Sequence, residues 1–125
     1  MLPKPFRLRR TSEFAAVYAK GRAYSDALVV LHVQALEDRS GTSQVGFSVG
    51  KKVGNAVVRN RVKRRLRAIL AERVERLPPG HRLVFGVRAK AAEAAFPALV
   101  EAVDRVLDRA HLLARSVVDK GDQAP

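Results

Sequence analysis

At 125 residues with 47% hydrophobic content, the chain is the size of one domain and carries enough apolar residues for one core. Its 24 Lys and Arg against 12 Asp and Glu leave a formal net charge of +12, which directs the search toward a polyanionic partner. The absence of Cys excludes disulfides, thiolate metal sites and Cys nucleophiles, and His32, His81 and His111 lack metal-ligand spacing, so no metal site is predicted.

In chain order, residues 1–10 read as an extended basic arm interrupted by Pro3 and Pro5, without the apolar run of a secretory signal. No later stretch is apolar for long enough to cross a bilayer, so the expectation is a soluble cytoplasmic protein without membrane attachment. Thr11 or Ser12 is placed to cap a short helix that Gly21 ends, with Glu13 in its first turn. Phe14, Val17 and Tyr18 share one side of that helix. The Val- and Leu-rich segment 27–36 and the segment 44–49 predict two strands, read as a hairpin across the turn chemistry of 37–43. A long helix is expected over 55–76, a third strand over 82–88 after Pro78-Pro79-Gly80, and a last helix from Pro97 to Val118. The whole, 1–125, is read as one domain with a frayed tail at 120–125.

Strand alternation divides the sheet into two chemically different faces. One carries Val29, Leu31, Val33, Val45, Phe47, Val49, Leu83, Phe85 and Val87 and is the predicted core, to be covered by the helices. The other carries Val30, His32, Gln34, Gly46, Ser48, Gly50, Arg82, Val84, Gly86 and Arg88, a floor of small or polar groups that suits an open groove or an ordinary solvated face.

The densest signal is residues 51–67, KKVGNAVVRNRVKRRLR, with eight basic residues in seventeen and no acid from Arg39 to Ala71. On a helix, Val58, Val62, Leu66, Ile69 and Leu70 form a buried stripe, which leaves Asn60, Lys63, Arg64 and Arg67 outward with Arg61 beside them. A solvated charged face ordinarily balances its cations with acids three or four residues away, and those acids are missing. A rigid, acid-free row of guanidinium and ammonium groups suits phosphates, each of which releases counterions when neutralised. Gly54 and Asn55 fit the N-terminus of that helix.

The same string, with its Arg59-Asn60-Arg61 core, resembles the signature of the bacterial ribonuclease P protein family, and RLRRTSEFAAVYAKG and SQVGFSVGKK are similar to that family's opening helix and approach strand. The resemblance covers about residues 7–115. It implies an α/β (α+β) two-layer sandwich, ribosomal-protein-like, in the order α-β-β-α-β-α, with a mainly antiparallel sheet and a left-handed βαβ crossover, against the usual right-handed rule. It also implies two RNA surfaces. Lys51, Lys52, Asn55, Arg59, Asn60, Arg61, Lys63, Arg64 and Arg67 would face a catalytic RNA. Phe14, Tyr18, Val30, His32 and Arg88, with room left by Ser48, would hold the single-stranded 5′ leader of precursor tRNA. Three positions depart from the family's pattern: Arg82 where an acid is common, Ala68 where Glu or Gln is frequent, and His32 where an aromatic is usual.

No carboxylate cluster, His pair or activated nucleophile occurs in the sequence, so no catalytic residue is predicted. By resemblance, the chain is a subunit of the tRNA 5′-maturing endoribonuclease. Its partners are the catalytic RNA and precursor tRNA, and no protein partner is required. Mg²⁺ enters with the assembled enzyme and no cofactor is held by the protein alone. The alternative reading is a ribosomal-protein-like structural RNA binder or RNA chaperone, which charge and fold accommodate equally. A DNA-binding protein is a weaker alternative, because no dimer element or helix-turn-helix spacing accompanies the basic helix.

Overall fold

A computed structural model describes residues 2–113 of the chain. In order they form α1 (Thr11–Lys20), β1 (Arg22–Ser25), β2 (Val29–Ala35), β3 (Gln44–Ser48), α2 (Ala56–Ala71), β4 (His81–Val87) and α3 (Phe96–Arg109), an α+β sandwich with a four-stranded sheet.

The sheet order is β1-β2-β4-β3, with β1–β2 and β2–β4 antiparallel and β3–β4 parallel. The predicted hairpin between segments 27–36 and 44–49 therefore does not form, since β4 lies between them. The physical reason is the loop 36–43, which wraps the entry of β4 rather than closing on itself. Leu36 N–H donates to Gly80 O at 2.8 Å, Gly80 N–H donates to Gly41 O at 2.7 Å, and His81 N–H donates to Ser43 Oγ at 2.9 Å. Gly80 stands there at φ 84°, and a Cβ would lie 2.5 Å from Arg39 Cα, so only glycine fits. The hairpin that does exist joins β2 to β1, a short edge strand that sequence reading left out.

The core face is the predicted one. Val29, Leu31, Val45, Leu83 and Phe85 are buried, and the register sets Leu31 and Phe47 on either side of Phe85. Val62, Leu66, Ile69 and Leu70 of α2 and Leu99, Ala102, Val103, Val106 and Leu107 of α3 complete that cluster. The opening helix behaves differently: α1 lies across the other face, where Val17, Phe14, Leu8 and Val84 make a second, smaller cluster.

Besides shifts of one or two residues at strand ends, three helix ends differ from the sequence reading. The cap of α1 is Arg10, whose backbone N–H donates to Glu13 Oε1 at 3.3 Å, and Thr11 and Ser12 lie inside the helix. The basic helix ends at Ala71 rather than 76, because Arg73 forks onto Asp104 of α3 (2.7 and 3.1 Å) and donates to Ile69 O at 2.7 Å. The last helix stops at Arg109, short of Val118. His111, at φ 58°, donates its N–H to Asp108 O, and Leu112 N–H reaches Leu107 O, a Schellman closure. Residues 114–125, with the predicted tail, lie outside the described residues.

The basic arm is folded rather than free. Leu2 and Leu8 are buried, a 3₁₀ turn covers Lys4–Phe6, and Arg7 makes a parallel bridge to Val45 on the outer edge of β3.

Candidate nucleic-acid interface

Register divides the outer face into successive cross-strand rungs: Gln34–Arg82–Gln44, then His32–Val84–Gly46, then Val30–Gly86–Ser48. The small helix α1 covers the first two. Glu13 pairs with Arg82 at 3.5 Å, Val17 packs on Val84, and Tyr18 meets His32 edge to face at 4.8 Å between ring centres. Phe14 sits over Gly46 so closely that a Cβ there would be 2.4 Å from its Cζ. Arg82, an unusual residue by resemblance, thus serves as the anchor of Glu13.

This corrects the expectation of a wholly open floor. The groove is the third rung alone, with Val30 and Gly86 half-buried and Ser48 exposed, continued on β1 by exposed Ser25. A Cβ on Gly86 would meet nothing closer than Val30 O at 3.7 Å, so space above the floor is free. Alongside it, α1 forms a wall that presents Tyr18, 46% exposed. Beyond the rung, Arg88 pairs with Leu28 through its backbone and points to the same face, its Nε donating to Asp26 O at 2.8 Å. Of the six predicted leader residues, Val30, Ser48, Tyr18 and Arg88 border the open rung, whereas Phe14 and His32 belong to the covered one. His32 Nδ1 is buried without a hydrogen-bond partner, and desolvation holds the imidazole pKa below its usual 6.5.

On α2 the predicted stripe faces the core, with Val62, Leu66, Ile69 and Leu70 buried and Val58 half-buried, and the cations point outward. Asn55 caps the helix, its side-chain oxygen accepting from Val58 N–H at 3.0 Å. Among the described residues, no carboxylate lies within 4.0 Å of any cation between Lys51 and Arg67. Lys51, Lys52, Asn60, Arg64 and Arg67 are exposed, and Lys63 half so. The row is not uniform, however. Arg61 Nη2 donates to Ala92 O at 3.1 Å and Arg65 Nη1 to Ala94 O at 3.1 Å, so this pair, one turn apart, holds the segment before α3. Arg59 Nε similarly donates to Gly54 O at 3.2 Å. Arg61 was predicted to face RNA; in the structure one of its Nη groups is engaged by the protein's own backbone.

Because β3 is an edge strand, elements from both faces of the sheet meet around it. A cavity of about 230 Å³ there is lined by Arg7 and Arg9 of the arm, Phe14 of α1, Phe47 of β3, and Lys63 and Arg67 of α2. The arm, the covered part of the outer face and the cationic helix thus meet at this edge. Sequence reading missed Arg7, Arg9 and Phe47 as neighbours of the site. Their basic and aromatic character was visible, but the return of the arm to β3 is a non-local contact. Among the described residues no three His, Asp or Glu side chains gather as a metal site, and no helix is long and apolar enough to cross a membrane.

The family model described as Ribonuclease P matches residues 2–111. The ribonuclease P protein component of Acidothermus cellulolyticus is 44% identical over 110 residues, covering 87% of this chain and 91% of that protein. That of Symbiobacterium thermophilum is 40% identical over 115 residues, covering 91% and 98%. Among solved structures, the RNase P protein of Thermotoga maritima superposes with a TM-score of 0.72 at 25% identity, over 82% of this chain and 96% of that one. The RNase P protein of Staphylococcus aureus gives 0.79 at 24% identity over 87% and 98%, a likeness of fold.

Proposed function

The chain belongs to the ribonuclease P protein family, and from that premise we propose that it grips two RNA molecules at once: the catalytic RNA along α2 and the single-stranded 5′ leader of precursor tRNA along the open rung. The observation that carries the proposal is the presence, on one small body, of an acid-free cationic helix and of an uncovered rung of small residues beside an exposed aromatic. Each part has a physical task. Lys51, Lys52, Lys63, Arg64 and Arg67 neutralise phosphates and reduce the repulsion between two polyanions, while Asn55, Asn60, Arg59 and the free groups of Arg61 add hydrogen bonds.

The leader suits the rung because a backbone can lie close to Gly86 and Ser48, with Val30 beneath it and Arg88 at its end. Tyr18 offers a face on which a base gains about 1–3 kcal/mol by stacking. Phe14 and His32 act from below, by fixing α1 and Tyr18 in place.

In this reading, hydrolysis of the precursor is performed by the RNA. Among the described residues no three His, Asp or Glu side chains gather into a cage for Mg²⁺, and the RNA would organise the metal ions. The protein contributes substrate affinity, and it works in the cytoplasm, where precursor tRNA is made. The test is precursor tRNA cleavage by a matching catalytic RNA at low Mg²⁺, with and without the chain. Faster cleavage with the chain is expected, and no gain would defeat the proposal. A purely structural RNA binder would give no such gain.

A further inference from the structure

Away from the rod and the groove floor, a built polar cluster lies on the turn 26–28 between β1 and β2. Asp26, whose side chain is 8% exposed, is forked by Arg105 of α3, with Nε to Oδ1 at 2.8 Å and Nη2 to Oδ2 at 3.2 Å. The same carboxylate accepts Leu28 N–H at 3.3 Å, and Arg109 both approaches it at 3.9 Å and donates to Ser25 O. This holds the turn against the helical layer. On the opposite side, the backbone carbonyl of Asp26 accepts Arg88 Nε at 2.8 Å. One residue therefore reaches around the end of the sheet, with its carboxylate on α3 and its carbonyl on the arginine that ends the open rung.

The chemistry of Arg88 gives the arrangement a purpose. With Nε occupied, the planar guanidinium loses rotational freedom and its two Nη groups remain to meet an anion in a fixed plane. Among the described residues no carboxylate lies within 4.0 Å of Arg88. We propose that Asp26 and Arg105 are positioning residues for Arg88, and that the fork so aimed takes a phosphate of the RNA strand lying on the Val30–Gly86–Ser48 rung. This rests on the leader reading of the groove. It adds a role for Arg105, a residue of the helical layer that touches no RNA. Removing Arg105 leaves a nearly buried carboxylate without its partner, so the turn must rearrange and its carbonyl shifts from Arg88.

The experiment compares dissociation constants of the assembled protein–catalytic RNA complex for precursor and mature tRNA, in Arg88→Ala, Arg105→Gln and the double variant. Arg88→Ala should weaken precursor binding by about tenfold and leave mature tRNA unchanged, the loss expected of one charge-assisted phosphate contact. Arg105→Gln should weaken precursor binding in the same selective way, and the double variant should be no worse than Arg88→Ala alone. Arg105→Lys, which retains the charge, should recover part of the loss. Should Arg105→Gln fail to fold, Asp26→Asn with Arg105→Gln leaves neither charge alone and is expected to give the same selective loss. Unchanged precursor preference in Arg88→Ala would overturn the groove reading itself. A loss in Arg88→Ala with none in the Arg105 and Asp26 variants, or losses that multiply in the double variant, would overturn this inference and leave the groove reading standing.

Discussion

Phe14 stands on Gly46, and no other residue at 46 leaves the ring where it is: a Cβ would lie 2.4 Å from Cζ and 2.8 Å from Cε2. Gly46→Ala should therefore tilt α1 and cost about 1–3 kcal/mol of stability. In the Phe14→Ala background the same change should cost less, since the ring is gone and only Leu8 Cβ, 3.2 Å away, has still to give. Urea unfolding of the two single variants and the double variant checks this, and equal costs in both backgrounds would show that the contact is not what excludes a side chain at 46.

Arg61 and Arg64, three residues apart, should answer differently to alanine. Arg64→Ala removes an exposed cation and should flatten the salt dependence of catalytic-RNA binding by about one unit of slope, with little effect on stability. Arg61→Ala removes the bond to Ala92 O and should cost about 1–2 kcal/mol of stability, with a smaller change in slope. Titrations over a range of salt, beside thermal melts, separate the two. Identical behaviour would mean that the Ala92 contact contributes nothing.

Much of this was legible in the sequence, and what was missed has one cause. The alternation that selects Val29, Leu31, Val45, Leu83 and Phe85 for the core is a local, period-two property, and the stripe of α2 is a local helical one, so both could be read directly. Strand order is not local. The apolar pattern of β2 is equally satisfied beside β3 or β4, and only the hydrogen bonds of the 36–43 loop with Pro78, Gly80 and His81 show which neighbour it has. The same holds for the site. The acid-free run announced the rod, but nothing near Arg61 in sequence says that its partner is a carbonyl 31 residues away. Glycines 46 and 86 also look alike in sequence, yet one is covered by Phe14 and the other faces open space.

Asp26 makes the fold sensitive to acid. The hydrogen bond from Arg105, the largest influence, holds the carboxyl below its ordinary 3.8, against the opposing effect of burial. The unfolded chain then binds the proton more readily, so stability rises with pH across this window. The contribution is complete above the unfolded value of 3.8 and is lost as pH falls through the lower value of the folded state. Stability followed between about pH 5 and 2 should fall less steeply in Asp26→Asn than in the unaltered chain. Parallel curves would contradict the assignment.

His111 closes α3 in a left-handed conformation that glycine adopts without a Cβ penalty. His111→Gly should raise stability by about 1 kcal/mol, seen as a higher urea midpoint with an unchanged slope. A lower midpoint would mean that the imidazole makes a contact worth more than the backbone strain.

The central claim, one protein body holding two RNAs, is tested most directly by a single binding comparison. Precursor and mature tRNA are titrated into the catalytic RNA with and without the chain, at one fixed salt concentration. The account predicts that the chain tightens binding of the precursor far more than that of the mature tRNA, and that the difference vanishes when the leader is removed. Equal tightening of both would leave the rung without a ligand and contradict the account.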